Sequence, residues 1–114
     1  MHEFSLATDV QAIAVQAARD GGVSCIHEVR LEVGRLAGVS IDALTFAWEM
    51  LRSTNPITAA AELRIDVADG EAECEACSYK GVAQDYLHVC PSCGALALRI
   101  TGGSQFLVTG LSGE

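Results

Sequence analysis

Basic residues are scarce. The 114-residue chain has seven Lys and Arg against fifteen Asp and Glu, a formal net charge of −8. That balance argues against nucleic-acid binding, because neutralising phosphates needs a basic surface, and seven cations supply one only if they gather on one face. Long apolar runs are missing too. The longest charge-free stretch, Ile100 to Gly113, has fourteen residues, four of them glycine, and is too short for a membrane-spanning helix of about 20. The opening Met1-His2-Glu3-Phe4 has no basic or continuous apolar segment, and Asp9 follows early; no secretory signal is expected, and the expected location is the cytoplasm. The three histidines are dispersed, so no Ser/His/Asp grouping or open metal site can be assembled and a hydrolase is not expected. Internal repeats and low-complexity tracts are absent, and the length allows one domain, or a small domain with a subdomain.

What is present reads as an α/β pattern. Leu6, Val10, Ile13 and Ala17 recur at helical spacing between Ser5 and Arg19, with Ser5 as the predicted N-cap and Gly21-Gly22 as the stop. His27, Val29, Leu31 and Val33 alternate with charged residues, a half-buried strand with His27 at the edge of the core and Gly34 and Gly38 at its exit. Ser40 caps a second predicted helix with the stripe Ile41, Leu44, Trp48 and Leu51, ended by Asn55-Pro56. Leu63, Ile65 and Val67 form a second alternating strand, and strand, helix, strand in about forty residues reads as a crossover unit with parallel strands. Composition changes at Asp69-Gly70, and the segment to Gly94 is too poor in branched aliphatics for a core of its own. Leu96, Leu98 and Ile100 alternate again, Gln105 to Thr109 reads as a last short strand, and the final three residues are expected to fray.

Four of the five cysteines form Cys74-Glu75-Ala76-Cys77 and Cys90-Pro91-Ser92-Cys93, a C-x2-C-x12-C-x2-C pattern. Two such turns present four thiolates as a tetrahedron, which suits zinc and leaves no open position for catalysis. In a reducing compartment this spacing speaks for metal or redox chemistry rather than disulfides. Unmetallated redox dithiols and a four-thiolate iron site are the alternatives; neither pair is flanked by a thioredoxin-like strand and helix. Pro91 and Gly94 suit the second turn, whereas the first has Ser78 where that turn has glycine. His88 reads as a hairpin surface residue and Cys25 as a small apolar packing group.

Met1-His2-Glu3 is the remaining feature. The Met1 amine, the amide nitrogen between Met1 and His2, and the His2 imidazole can hold one ion in fused, nearly planar chelate rings, a geometry that selects nickel(II) or copper(II). Alone it is a weak motif. Together, however, Met1-His2-Glu3-Phe4-Ser5-Leu6, Val33-Gly34-Arg35-Leu36-Ala37-Gly38-Val39, Phe46-Ala47-Trp48-Glu49 and the paired C-x-x-C segment resemble, along essentially the full chain, the HypA/HybF family of hydrogenase maturation nickel chaperones.

The resemblance implies a non-enzymatic nickel metallochaperone. It maps nickel (the cargo) onto the Met1 amine, His2 with its preceding amide, and Glu3 as a neighbouring contributor, and a structural or regulatory zinc onto Cys74, Cys77, Cys90 and Cys93. It also implies an α/β fold: a small N-terminal lobe of two helices packed on a three-stranded sheet that includes a returning C-terminal strand, with an inserted zinc-ribbon subdomain. The expected division is residues 1–69 and 104–111 for the nickel-binding lobe and 70–103 for the ribbon. Implied partners are the HypB GTPase and the nickel–iron hydrogenase large subunit, with urease accessory proteins as a second destination in some members; nucleic acid and membrane are not expected, and the chain is a monomer or homodimer. From Gly70 to Ile100 the basic residues Lys80 and Arg99 face Glu71, Glu73, Glu75 and Asp85, so this segment would steer a cationic partner. A zinc-ribbon interaction module that handles no metal at its terminus is the competing reading.

Overall fold

The computed structural model describes residues 2–83, 85–86 and 88–114. The chain divides into two compact units, one of Met1–Glu32, Val39–Asp66 and Leu107–Glu114, the other of Val33–Gly38 and Val67–Phe106. No helix among the described residues is long and apolar enough to cross a membrane.

In the first unit, helix α1 (His2–Asp20) starts three residues before the predicted cap, so Ser5 lies inside it. Its buried stripe is Ala7, Val10, Ala14 and Ala18 with Val15, not the predicted one: Ile13 is 53% exposed and Ala17 is exposed. The reason is steric. Alanines at 7, 14 and 18 let the helix lie close against its neighbours, and close contact decides the face over the larger side chains. The helix ends as expected: Val23 N donates to Ala18 O at 2.7 Å and Gly22 N to Arg19 O at 3.3 Å, with Gly22 at φ +72°, a left-handed cap that glycine adopts without penalty.

Strand β1 (Ile26–Gly34) buries Val29, Leu31 and Val33 and turns Glu28, Arg30 and Glu32 to its other face. His27 is not at the core edge. It is exposed, and its Nε2 lies 2.9 Å from Glu114 Oε1, because an imidazole satisfied by a carboxylate in water gains nothing from burial. Helix α2 (Ile41–Leu51) is capped by Ser40, whose Oγ accepts from Ala43 N at 3.3 Å. Leu44, Ala47 and Trp48 are buried on it, and Trp48 Nε1 donates to Ala61 O at 2.9 Å. A short 3-10 turn (Arg52–Thr54) leads to Asn55, whose Oδ1 accepts from Ile57 N, closing the turn that ends the helix. Gln11 of α1 reaches Leu51 O and Thr58 Oγ1, both at 3.1 Å.

Strand β2 (Glu62–Ala68) and the last strand, β6 (Phe106–Gly113), flank β1 in the order β2-β1-β6. Arg35 N donates to Ala68 O where β1 and β2 end, and Ile26 N to Ile57 O where β1 begins, so these two strands are parallel, as a strand-helix-strand crossover requires. Strand β6 is antiparallel: Cys25 and Glu114 exchange two bonds of 2.9 Å at one end, and Gly34 N donates to Gln105 O at the other. It outruns the predicted 105–109, and the final residues are paired rather than frayed, because β1 offers them a ladder of bonds through Cys25.

In the second unit, β3 (Gly70–Cys74), β4 (Lys80–Ala83) and β5 (Leu98–Gly102) form an antiparallel sheet ordered β4-β3-β5. Leu96 lies before β5 and is 82% exposed, outside the alternation the sequence suggested. Among the described residues, the core comprises Leu36, Ala72, Cys74, Ala83, Cys90 and Leu98, and two of these six are cysteines. Two glycines permit a close backbone approach there: a Cβ on Gly103, at φ +101°, would stand 2.4 Å from Gly70 Cα. No larger residue fits that crossing.

Candidate metal centre

Strand β3 ends on Cys74 and β4 begins on Lys80, so the turn between them carries the first pair of thiols. Cys74 N donates to Tyr79 O at 2.8 Å, which closes the turn, and Ala76 N donates to Cys74 Sγ at 3.3 Å. Ser78 sits at φ +66°. The left-handed conformation that glycine usually supplies is therefore retained by a serine, at a cost of about 1 kcal/mol. The second turn repeats the pattern: Gly94 N donates to Cys90 O at 2.9 Å, Ser92 N and Cys93 N point at Cys90 Sγ at 3.4 and 3.5 Å, and Gly94 has φ +75°.

The four Sγ atoms of Cys74, Cys77, Cys90 and Cys93 all lie within 4.8 Å of one another. Cys74 to Cys93 is 3.8 Å and Cys77 to Cys90 is 3.6 Å, far longer than a disulfide of about 2.05 Å. A regular tetrahedron of thiolates about 2.3 Å from a zinc ion has edges of about 3.8 Å, so the donor set fits a four-thiolate ion in chemistry and in size. Cys74 and Cys90 are buried, whereas Cys77 and Cys93 are exposed.

The thiols divide electrostatically. Burial pushes Cys90 up, but the N–H groups of Cys93 and Ser92, with the Cys77 and Cys74 sulfurs, bring it down to about 7. At Cys77 the Tyr79 N–H pulls down, and burial with the other three sulfurs outweighs it, to about 12. Four thiolates cannot all hold their charge side by side unless a cation offsets them. His88 is not among the donors: its Nδ1 is 2.9 Å from Leu98 O and it is exposed. Nearby cations are already committed. Glu73 meets Lys80 at 3.2 Å and Arg99 at 3.1 Å, and Arg99 also meets Glu75 at 3.3 Å. Cys25, half-buried, lies outside the cluster.

Of the residues singled out at the N-terminus, Met1 lies outside the described residues. His2 opens α1 with its side chain 63% exposed, and its Nδ1 is 3.7 Å from Glu3 Oε2. The same oxygen accepts from Ser40 N at 3.2 Å. That N–H, then the backbone of Glu3 itself and the neighbouring His2, hold the Glu3 carboxyl below its ordinary range. Because the first N–H groups of a helix have no intrahelical acceptor, the His2 amide is free of the helix ladder. Sequence reasoning found Ser40 as a cap but missed it as the partner of Glu3; the available signal was that a cap's own N–H also lacks a helical acceptor.

A family model described as hydrogenase/urease nickel incorporation, metallochaperone, HypA matches residues 1–112. The hydrogenase maturation factor HypA of Rhodobacter capsulatus is 35% identical over 111 residues, covering 97% of both chains. HybF of Klebsiella pneumoniae is 35% identical over 114 residues, covering 100% of both. The solution structure of the Ni metallochaperone HypA from Helicobacter pylori superposes with a TM-score of 0.70 at 26% identity, covering 97% of this chain and 96% of that one. A match that spans both units in sequence and in fold leaves one conclusion: the chain belongs to the HypA/HybF family, nickel metallochaperones of hydrogenase maturation that are not enzymes.

Proposed function

We propose that this chain binds Ni(II) at its N-terminus through the Met1 amine, the His2 amide nitrogen and the His2 imidazole, with Glu3 beside them, and hands the ion on for nickel–iron hydrogenase maturation. The observation that carries the reading is the state of His2: exposed, its amide outside the helix ladder, its Nδ1 facing a carboxylate that Ser40 already holds. A carrier needs such an open site, because a receiving ligand must reach the ion before the carrier releases it. The HypB GTPase and the hydrogenase large subunit are the partners, and the cytoplasm, where free thiols persist, is the setting. Residues 1–69 and 104–111 serve as the nickel lobe and 70–103 as a zinc ribbon.

Cys74, Cys77, Cys90 and Cys93 hold the resident zinc, which supplies a redox-inert double positive charge and a cross-link. Their turns aim N–H groups at the sulfurs and keep the thiolates in place; with four donors no position is left for substrate.

Dialysis against nickel followed by elemental analysis tests this reading on the native chain, a chain extended by one residue before Met1, and His2→Ala. The native protein should retain zinc plus about one equivalent of nickel, and each change should remove the nickel alone. Nickel uptake indifferent to both changes would transfer support to the zinc-ribbon interaction module.

A further inference from the structure

Among the described residues the outer edge of β2 has no partner strand. Edge strands are usually blunted by proline, charged side chains or extreme shortness; Glu62–Ala68 runs seven residues without proline or lysine, and its charges, Glu62, Arg64 and Asp66, are of both signs. Arg64 and Asp66 are exposed and without an ion-pair or hydrogen-bond partner among the described residues, although Arg30, Arg35, Arg52, Lys80 and Arg99 each meet a carboxylate. On the other face, Leu63 and Ile65 are only half-buried and Val67 is 45% exposed, whereas the equivalent row of β1 is closed.

We propose that β2 pairs with β2 of a second copy of this chain, antiparallel about a two-fold axis through Ile65. Ile65 is the middle residue of the strand, so this register engages all seven positions. Arg64 then faces Asp66 of the second copy and Asp66 faces Arg64, two opposite-charge pairs generated by one symmetry operation. Leu63 meets Val67, and Ile65 meets itself. The backbone agrees. Ala68 O points toward β1, where it accepts from Arg35 N, and bonding groups alternate sides along a strand. The N–H and C=O of residues 63, 65 and 67 therefore point to the open edge, and the three pairs they form in this register are those that exchange two bonds each.

Neighbouring registers fail on charge or length. Centring the axis on Arg64 sets Arg64 against itself and Glu62 against Asp66, and centring it on Asp66 sets two aspartates together. Centring it on Leu63 pairs Arg64 with Glu62, but it extends into Ala60 and Ala61, outside the strand, where Ala61 O is already taken by Trp48 and Arg52. The pairing depends on neither metal.

Sedimentation equilibrium of the full, zinc-loaded chain across a concentration series tests it, with circular dichroism and zinc content as checks of folding. The wild-type chain should dimerise reversibly. Arg64→Asp or Asp66→Arg alone sets like charges opposite at two places and should weaken the dimer about tenfold or more, whereas the double variant Arg64→Asp/Asp66→Arg restores both pairs and should recover it. A chain that stays monomeric up to about 1 mM overturns the proposal. So does a dimer unmoved by either single variant, which would point to the uncharged β6 edge instead, or a double variant no better than the singles.

Discussion

Ser78, in the turn that carries Cys77, holds a left-handed backbone conformation that its side chain disfavours. Ser78→Gly should raise the stability of the zinc-loaded protein by about 1 kcal/mol, read as a higher denaturation midpoint with zinc content unchanged. Gly103→Ala should do the opposite. Its Cβ would meet Gly70 Cα at 2.4 Å, and a loss of about 2 kcal/mol or more is expected in the same assay. Glu3 offers a pH signature. A depressed carboxyl stabilises the folded state above its ordinary value of 4.5 and loses that contribution as the pH falls through the lower folded value. Glu3→Gln should therefore flatten the acid side of the stability curve and leave its slope near neutrality unchanged. At this scale the thiol spacing and Ser40 were legible from residue types alone. The exposure of His27 was not, because it depends on Glu114, 87 positions away.

Among the elements, β1 and α2 were readable because each has large apolar residues on one face and charges on the other. Helix α1 was not, since two stripes share Val10: one of larger residues through Leu6 and Ile13, one of alanines through Ala7, Ala14 and Ala18. Periodicity weighted by side-chain size selects the first, whereas close packing selects the second. The contrast is measurable. Ala14→Leu should overpack the buried face and destabilise by about 1–3 kcal/mol, whereas Ile13→Gln should shift thermal stability by no more than about 0.5 kcal/mol. Trp48→Phe should cost about 1–2 kcal/mol, because it removes one of two donors to Ala61 O and leaves Arg52 Nη1 at 3.1 Å.

For the whole molecule, the organising fact is that the second unit's core is built partly from two of the four clustered cysteines, Cys74 and Cys90, with Leu36 from the segment between β1 and α2. No pattern within residues 70–103 announces Leu36, which is why the core's composition was not legible from that segment. Zinc removal by a chelator should strip amide-exchange protection from β3, β4 and β5 well before α1, α2 and β1 lose theirs. Uniform loss throughout would mean that the ion stabilises both units equally. The placement of β6 has a consequence for biosynthesis. The sheet that begins with β1 takes its third strand from residues that follow all four cysteines in the chain, and a ribosome delivers the chain in that order. The first sheet therefore stays one strand short until all four cysteines have been made: a chain that stops anywhere before Phe106, with its thiols or without them, lacks the strand that completes it.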